Sequence, residues 1–171
     1  MLVDAIVSVT SDWAIGNEGG LVVSNRDDMR RFVSLTNGCT VLMGRKTFES
    51  FPGGPLKGRR NVVVTRQPSY ELEHPGIECA HSLDAALDLI ASDENDKGVW
   101  LIGGERLYRS LLPRCKRCYV TRNHTSVDAD AYFPNLDEDE DWLLEREEEG
   151  GVTAEGVPFD YAIYKNLAMG F

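Results

Sequence analysis

The chain lacks any apolar run long enough to cross a membrane, and its opening residues carry Asp4 and no basic stretch. The first absence excludes a helical membrane span and the second argues against a secretory leader, so a cytoplasmic location is expected. Asn123-His124-Thr125, a formal glycosylation triplet, is then expected to stay unmodified. Basic residues are in deficit: 18 Lys and Arg stand against 28 Asp and Glu, for a formal net charge of −10. Such a chain is a poor partner for nucleic acid or an anionic membrane. The four cysteines form no disulfide framework. Cys115-Lys-Arg-Cys118 matches a redox pair, but such a pair needs a helix N-terminus to lower the thiol pKa. Here Pro113 closes a helix before it and the β-rich Tyr119-Val-Thr121 follows. Zinc would need a second ligand pair, and Cys39 and Cys79 stand alone, so a structural role is expected. The acid run Asp137 to Asp141 has neither the glycine nor the terminal glutamate of a calcium loop and reads as solvated chain. No internal repeat, linker or apolar patch beyond the core faces is present, which predicts one monomeric domain over residues 1–171.

What is present begins with Val99-Trp-Leu-Ile-Gly-Gly-Glu-Arg-Leu-Tyr108. An apolar run ending in glycine reads as a strand buried on both faces. The Gly103-Gly104 pair then lets backbone approach a ligand, and the helix start beyond it offers free N–H groups to a phosphate. A ligand-free strand-to-helix turn is the alternative. Cys39 to Met43 is a second buried strand, and Gly44 leads from it into Arg45-Lys46-Thr47 and a short helix to Ser50. Asn61 to Thr65 is a third, with Arg66 at its end, where open α/β sheets hold ligands. Between Arg45 and Arg66 there are six basic residues and one acid, Glu49, so this segment is about +5 and the remainder about −15. An acidic chain with its cations so gathered is a candidate binder of a small anion.

Elsewhere, Leu2 to Thr10 alternates as a strand. Ser11 to Ser24 is a long glycine-bearing loop with apolar Trp13, Ile15, Leu21, Val22 and Val23, which suits either a lid or a packed surface loop. Asn25 can cap a helix from Arg26 to about Thr36, ended at Gly38, with Met29, Phe32 and Val33 as its buried face. Asp28 lies four residues before Phe32 and shares that face, where a carboxylate needs a partner or has its pKa raised. Asp27 beside it suits the helix dipole. A short strand over Gly76 to Ala80, a helix from Leu83 to Ala91 capped by Ser82, a helix ending at Leu112 and a strand from Arg117 to Thr125 follow. Trp142 to Glu149, Gly150-Gly151 and Phe159 to Asn166 read as an antiparallel hairpin. The fold class is α/β, a mostly parallel sheet flanked by helices.

Ile15-Gly16, Asp28 with Phe32, Met43-Gly-Arg-Lys-Thr-Phe-Glu-Ser50, Pro55-Leu-Lys-Gly-Arg59 and Ile102-Gly-Gly-Glu-Arg-Leu-Tyr108 stand in this order along nearly the whole chain. Together they closely resemble the dihydrofolate reductase family. The resemblance implies a twisted, mostly parallel eight-stranded sheet flanked by four helices, with an antiparallel C-terminal hairpin. It implies hydride transfer from NADPH to 7,8-dihydrofolate, giving tetrahydrofolate, with protonation at N5. By position, Asp28 would be the catalytic acid, holding the 2-amino and ring N–H groups of the pterin. Ile6, Val7, Met29, Phe32, Phe51, Leu56, Ile102, Tyr108 and Thr121 would shape the substrate pocket, and Arg59 would clamp the glutamate-tail carboxylate. Arg45, Thr65 and Arg66 would meet the adenosine 2′-phosphate, with His81 either joining them or standing as a surface histidine. Gly44, Lys46 and Thr47 would meet the pyrophosphate from one side, and Gly103, Gly104, Glu105, Arg106 and Leu107 from the other. Ser8, Ile15, Gly16, Leu21 and Ile102 would border the nicotinamide. The Gly103–Gly104 peptide is expected to be cis.

One departure stands out. Many members carry Pro-Trp after the lid's Leu or Met, and a Pro shortly before the acid. Here the run is Leu21-Val-Val-Ser-Asn-Arg-Asp-Asp28, with Val23 at the Trp position. That Trp helps hold an ordered water near the substrate, so the chain loses one support for a water relay while keeping the acid. Two other readings remain: the related riboflavin-pathway reductase, and a nucleotide-binding module without catalysis. Asp28 and Arg59 favour a folate, since the riboflavin-pathway substrate has a phosphate and no glutamate tail.

Overall fold

The computed structural model describes residues 3–92 and 97–169; Leu2, at the head of the expected first strand, lies outside them. Strand β1 (Val3–Val9) is followed by β2 (Ala14–Asn17), β3 (Gly20–Leu21), helix α1 (Arg26–Thr36), β4 (Thr40–Gly44) and α2 (Arg45–Glu49). Next come β5 (Arg60–Val64), the single turn α3 (Tyr70–Glu73), β6 (Glu78–Ala80), α4 (Leu83–Ala91), β7 (Val99–Gly103) and α5 (Glu105–Leu111). Strands β8 (Cys115–Asn123), β9 (Ala131–Tyr132), β10 (Trp142–Val152) and β11 (Pro158–Asn166) complete it. No helix among the described residues is long and apolar enough to cross a membrane.

Eight strands form one sheet in the order β10-β11-β8-β1-β7-β4-β5-β6. Every pairing from β8 to β6 is parallel, and β11 and β10 close the other edge antiparallel. The expected eight-stranded sheet is therefore present, and α3 adds one turn to the four flanking helices.

The period-two geometry of the strands sorts the apolar residues onto two faces. Leu42, Leu101, Val7 and Val120 pack on one side with Ala86 and Ile90 of α4 and Leu107, Tyr108 and Leu111 of α5. Val41, Met43, Trp100 and Ile6 pack on the other with Phe32 and Leu35 of α1, Phe48 of α2 and Tyr70 of α3. Helices on both faces explain why the central strands read as continuous apolar runs. Cys115 and Cys118 are free and fully buried in β8, as the structural reading of that pair expected.

Three local expectations change. The loop from Ser11 to Ser24 is not without structure: β2 pairs with β3 and with β9, forming a small second sheet. On α1 the inward residues are Asp28, Arg31, Phe32, Leu35 and Thr36, whereas Met29 and Val33 are 49% and 51% exposed. Apolar count placed the helical stripe one residue off, because the face that meets the sheet carries an acid and a base. Finally, Gly150-Gly151 lies inside β10, and the hairpin turns between Val152 and Pro158.

Candidate active site

The six parallel strands end on one side of the sheet, so Asn123, Val9, Gly103, Gly44, Val64 and Ala80 form a row along that edge. The chain leaves β1 for β4, works outward through β5 and β6, then returns to insert β7 between β1 and β4. Open α/β sheets take ligands at such a reversal, because the connections leave the strand ends in opposite directions and open a crevice.

Helix α1 delivers the acid. Asn25 caps it, its Oδ1 accepting the Asp28 N–H at 3.0 Å. The same side chain donates from Nδ2 to Asn123 Oδ1 at 3.1 Å, and Asn123 Nδ2 donates to Ser8 Oγ at 2.8 Å and Val9 O at 2.9 Å. These amides tie the helix start to the ends of β1 and β8, which fixes the phase of the first turn. Asp28 consequently turns to the sheet, where Thr121 Oγ1 donates a short hydrogen bond to its Oδ1. Burial pushes the Asp28 carboxyl above its ordinary range, and the Thr121 bond and the charge of Arg31 pull it part of the way back. Asp27 points outward, its exposed carboxylate 3.9 Å from Arg30.

Around Asp28, Ile6, Phe32, Phe51, Leu56 and Ile102 share one apolar face, with all but Ile6 only partly covered. Met29 lies on the exposed side of α1. Val7 and Tyr108 belong to the opposite face of the sheet, and Tyr108 reaches through to donate from its hydroxyl to Ile6 O at 2.7 Å. Arg59 closes the far end of α1. Its guanidinium donates to Thr36 Oγ1 at 2.7 Å, Lys57 O at 2.6 Å and Val33 O at 3.2 Å, and its carbon lies 5.9 Å from the Phe32 ring. The last turn of α1 has no basic residue of its own, so Arg59 supplies the cation its carbonyls favour.

Two glycine turns meet beside this face. The Gly103–Gly104 peptide is cis, and Gly103 has φ +137°, a backbone that side chains rarely adopt. A Cβ at Gly103 or Gly104 would lie 3.2 or 3.3 Å from Thr47 Oγ1, and one at Gly44 would lie 3.9 Å from Gly104 N. The chain is thus kept bare where β4–α2 and β7–α5 come together. Gly44 and Gly104 stand at the N-cap positions and offer no side chain to the first N–H groups of their helices. Leu107 is buried behind this turn, while Lys46 and Arg106 are exposed. Glu105 accepts the Tyr132 N–H, joining the start of α5 to the small sheet.

The cations of the basic segment divide. Arg45 pairs with Glu49 at 2.7 Å, and Arg60 is drawn away to Glu78 on β6. Thr65 is buried and Arg66 exposed at the end of β5, and His81 Nδ1 lies 2.9 Å from Thr65 O. His81 Nε2 is 3.7 Å from Glu71.

The small sheet carries the loop residues. Asp130 donates its N–H to Gly16 O at 3.0 Å and accepts the Glu18 N–H at 2.9 Å. Trp13 is buried against Phe133, Ile15 is half-buried, and Leu21 at the tip is 68% exposed. A surface cavity of about 540 Å³, lined by Arg109, Pro134, Asn135 and acids from Glu138 to Asp141, includes none of these residues.

A family model for dihydrofolate reductase matches residues 2–166. The chain belongs to the dihydrofolate reductase family. Among relatives, the type 3 dihydrofolate reductase of Salmonella typhimurium is 42% identical over 135 residues, 79% of this chain and 80% of that protein. The dihydrofolate reductase of Bacillus subtilis (strain 168) is 35% identical over 160 residues, 94% of this chain and 90% of that protein. A dihydrofolate reductase from Enterococcus faecalis, solved with NADP(H) and RAB-propyl, superposes with a TM-score of 0.84 at 29% identity, covering 96% of each chain.

In this dihydrofolate reductase, three features of the site carry little signal in the sequence: the Asn25–Asn123 link, the Asp130 staple and Arg31. The cap at Asn25 was legible, but its second partner lies 98 residues away. Arg31 stands three residues from Asp28, a helical spacing that was the available signal.

Proposed function

We propose that this chain catalyses the NADPH-dependent reduction of 7,8-dihydrofolate to 5,6,7,8-tetrahydrofolate, as a cytoplasmic monomer of one domain. The observation that carries this reading is Asp28. It is a half-buried carboxylate on a partly open apolar face, held by Thr121 on β8, two strands from the β7 glycine turn that is bare enough for a nucleotide.

Dihydrofolate is a flat heterocycle with paired N–H donors, an aromatic linker and an acidic tail. Asp28 meets the 2-amino and ring N–H groups with two hydrogen bonds, which fix orientation as well as affinity. Ile6, Met29, Phe32, Phe51, Leu56, Ile102 and Thr121 enclose the rings and the linker, Val7 and Tyr108 back the pocket from the other face of the sheet, and Arg59 takes the tail carboxylate. Because burial raises the Asp28 pKa, the carboxyl holds a proton nearer neutral pH and assists its delivery toward N5.

The bare glycine turns suit NADPH. Gly44, Lys46, Thr47, Gly103, Gly104, Glu105, Arg106 and Leu107 would hold the pyrophosphate, and Arg45, Thr65, Arg66 and His81 the 2′-phosphate. Ser8, Ile15, Gly16, Leu21 and Ile102 would border the nicotinamide. When bound, the cofactor supplies a hydride from nicotinamide C4 to pterin C6. No protein base is needed for that transfer, so the task of the chain is alignment and exclusion of water.

Loss of NADPH absorbance on adding dihydrofolate tests the proposal, with a dihydrofolate-dependent rate expected. NADPH binding without turnover would overturn it and leave a nucleotide-binding module.

A further inference from the structure

Arg31 lies one helical turn beyond Asp28, on the face of α1 that meets the sheet. No carboxylate among the described residues pairs with it. Instead its guanidinium carbon sits 4.1 Å from the ring centroid of Tyr161 and 5.7 Å from that of Tyr119. Its Nη1 is buried without a hydrogen-bond partner. Arg31 stands at the middle of α1, where the helix dipole gives a cation no benefit, and a buried unpaired donor is unfavourable, so helix building gives no reason for it. Ring faces offset part of that penalty.

The rings that hold Arg31 also frame Asp28. Tyr119 and Thr121 alternate around Val120, so both face α1, and Thr121 is the residue bonded to Asp28. Tyr161 on β11 lies directly opposite Thr121 in the antiparallel register. Two adjacent strands therefore position the acid and the base together.

We propose that Arg31 is a positioning residue for the reaction: clamped on Tyr161 and Tyr119 one helical turn from Asp28, it holds a fixed positive charge that, together with the Thr121 hydrogen bond, sets the pH at which that carboxylate takes up its proton. The proposal rests on the reductase reading above. Among the described residues no other cation acts on Asp28; Arg117 and the acids Asp4 and Glu145 act at Tyr119, and Arg117 is paired with Glu145. Asp27 on α1 is acidic and outward, Thr121 on β8 is neutral, and Glu148 on β10 acts near Tyr161. The phenols of Tyr119, Tyr161 and, on α5, Tyr108 all stay protonated, pushed above their ordinary values by burial. Arg31 is thus the charge that counteracts burial at Asp28.

The test is a carboxyl-carbon NMR titration of aspartate-labelled protein without ligands, with Asp28→Asn identifying the resonance. Arg31→Met should raise the Asp28 midpoint by about half a pH unit or more, while Arg31→Lys, which keeps the charge, should leave it within about 0.2. In turnover, the fall in rate on raising the pH should move to higher pH in Arg31→Met and return in Arg31→Lys. Tyr161→Leu, which removes the nearer ring, should shift the midpoint the same way, and it serves if Arg31→Met does not fold. An unchanged midpoint in a folded Arg31→Met or Tyr161→Leu variant overturns the proposal. The titration needs no dihydrofolate, so absence of turnover in the wild type would sink the reductase reading while leaving this result readable.

Discussion

Asp28 is subject to opposed demands. Withdrawal from water favours its neutral form, while the Thr121 hydroxyl and the Arg31 charge favour its anion. Its folded pKa is raised overall, so the stability it contributes is present below the ordinary carboxyl range and lost as pH rises through the folded value. Above that value the ionised side chain therefore weakens the fold in the service of the site. Asp28→Asn separates the two. Turnover at pH 7 should fall by about 100-fold or more, and by less at acid pH, where the substrate can draw its proton from solvent. The melting temperature at pH 7 should meanwhile hold or rise. Equal turnover of variant and wild type at pH 7 would remove Asp28 from the mechanism. Asp28 was legible in the sequence because its cap at Asn25 and its spacing to Phe32 are local. Arg31 was not, because the rings that hold it stand far along the chain in β8 and β11.

Among the elements, α1 shows how an apolar count can mistake a binding face for a buried one. Met29 and Val33 flank the inward stripe and remain half exposed. Exposed apolar residues beside a half-buried acid are surface that a flat ligand can cover. The terminal hairpin shows the converse, a glycine pair that looks like a turn but serves a strand. The register of β10 slips between Glu149 and Gly151, leaving Gly150 as the bulged residue. A Cβ there would stand 2.3 Å from Phe159 O and 2.5 Å from its ring. Gly150→Ala is expected to destabilise the protein by about 2 kcal/mol, lowering the melting temperature by roughly 5 °C. Gly53→Ala, where nothing lies within 4 Å, should change it little. Equal melting temperatures for the two variants would count against the bulge as the reason for Gly150. The small sheet of β2, β3 and β9 escaped sequence reasoning because two of its strands span only two residues each.

Across the whole molecule, the cysteines report on burial. Cys115 and Cys118 sit in the central strand β8 at 0% exposure, with the Cys115 thiol pushed up to about 12 and Cys118 well above its ordinary value. Thiols of an unfolded chain ionise near about 8.5. The stability these groups confer is thus intact below that pH and is lost progressively as pH rises toward the folded values. Urea unfolding midpoints should therefore fall between pH 8 and pH 10.5, and the fall should be shallower when both cysteines are alanine. An identical pH slope in the double variant would contradict this account.

By itself the sequence determined the parallel apolar strands, the glycine junctions, the capped helices and the family motifs. Each of these is written in neighbouring residues, through side-chain alternation, helical spacing and the backbone freedom of glycine. Tertiary structure alone decided which polar groups answer one another: Thr121 to Asp28, Asn123 to Asn25, Thr47 against Gly103 and Gly104, and Tyr161 beneath Arg31. Those partners are separated along the chain and meet only where strand order and register bring them together, and it is that meeting which gives Asp28 its charge state.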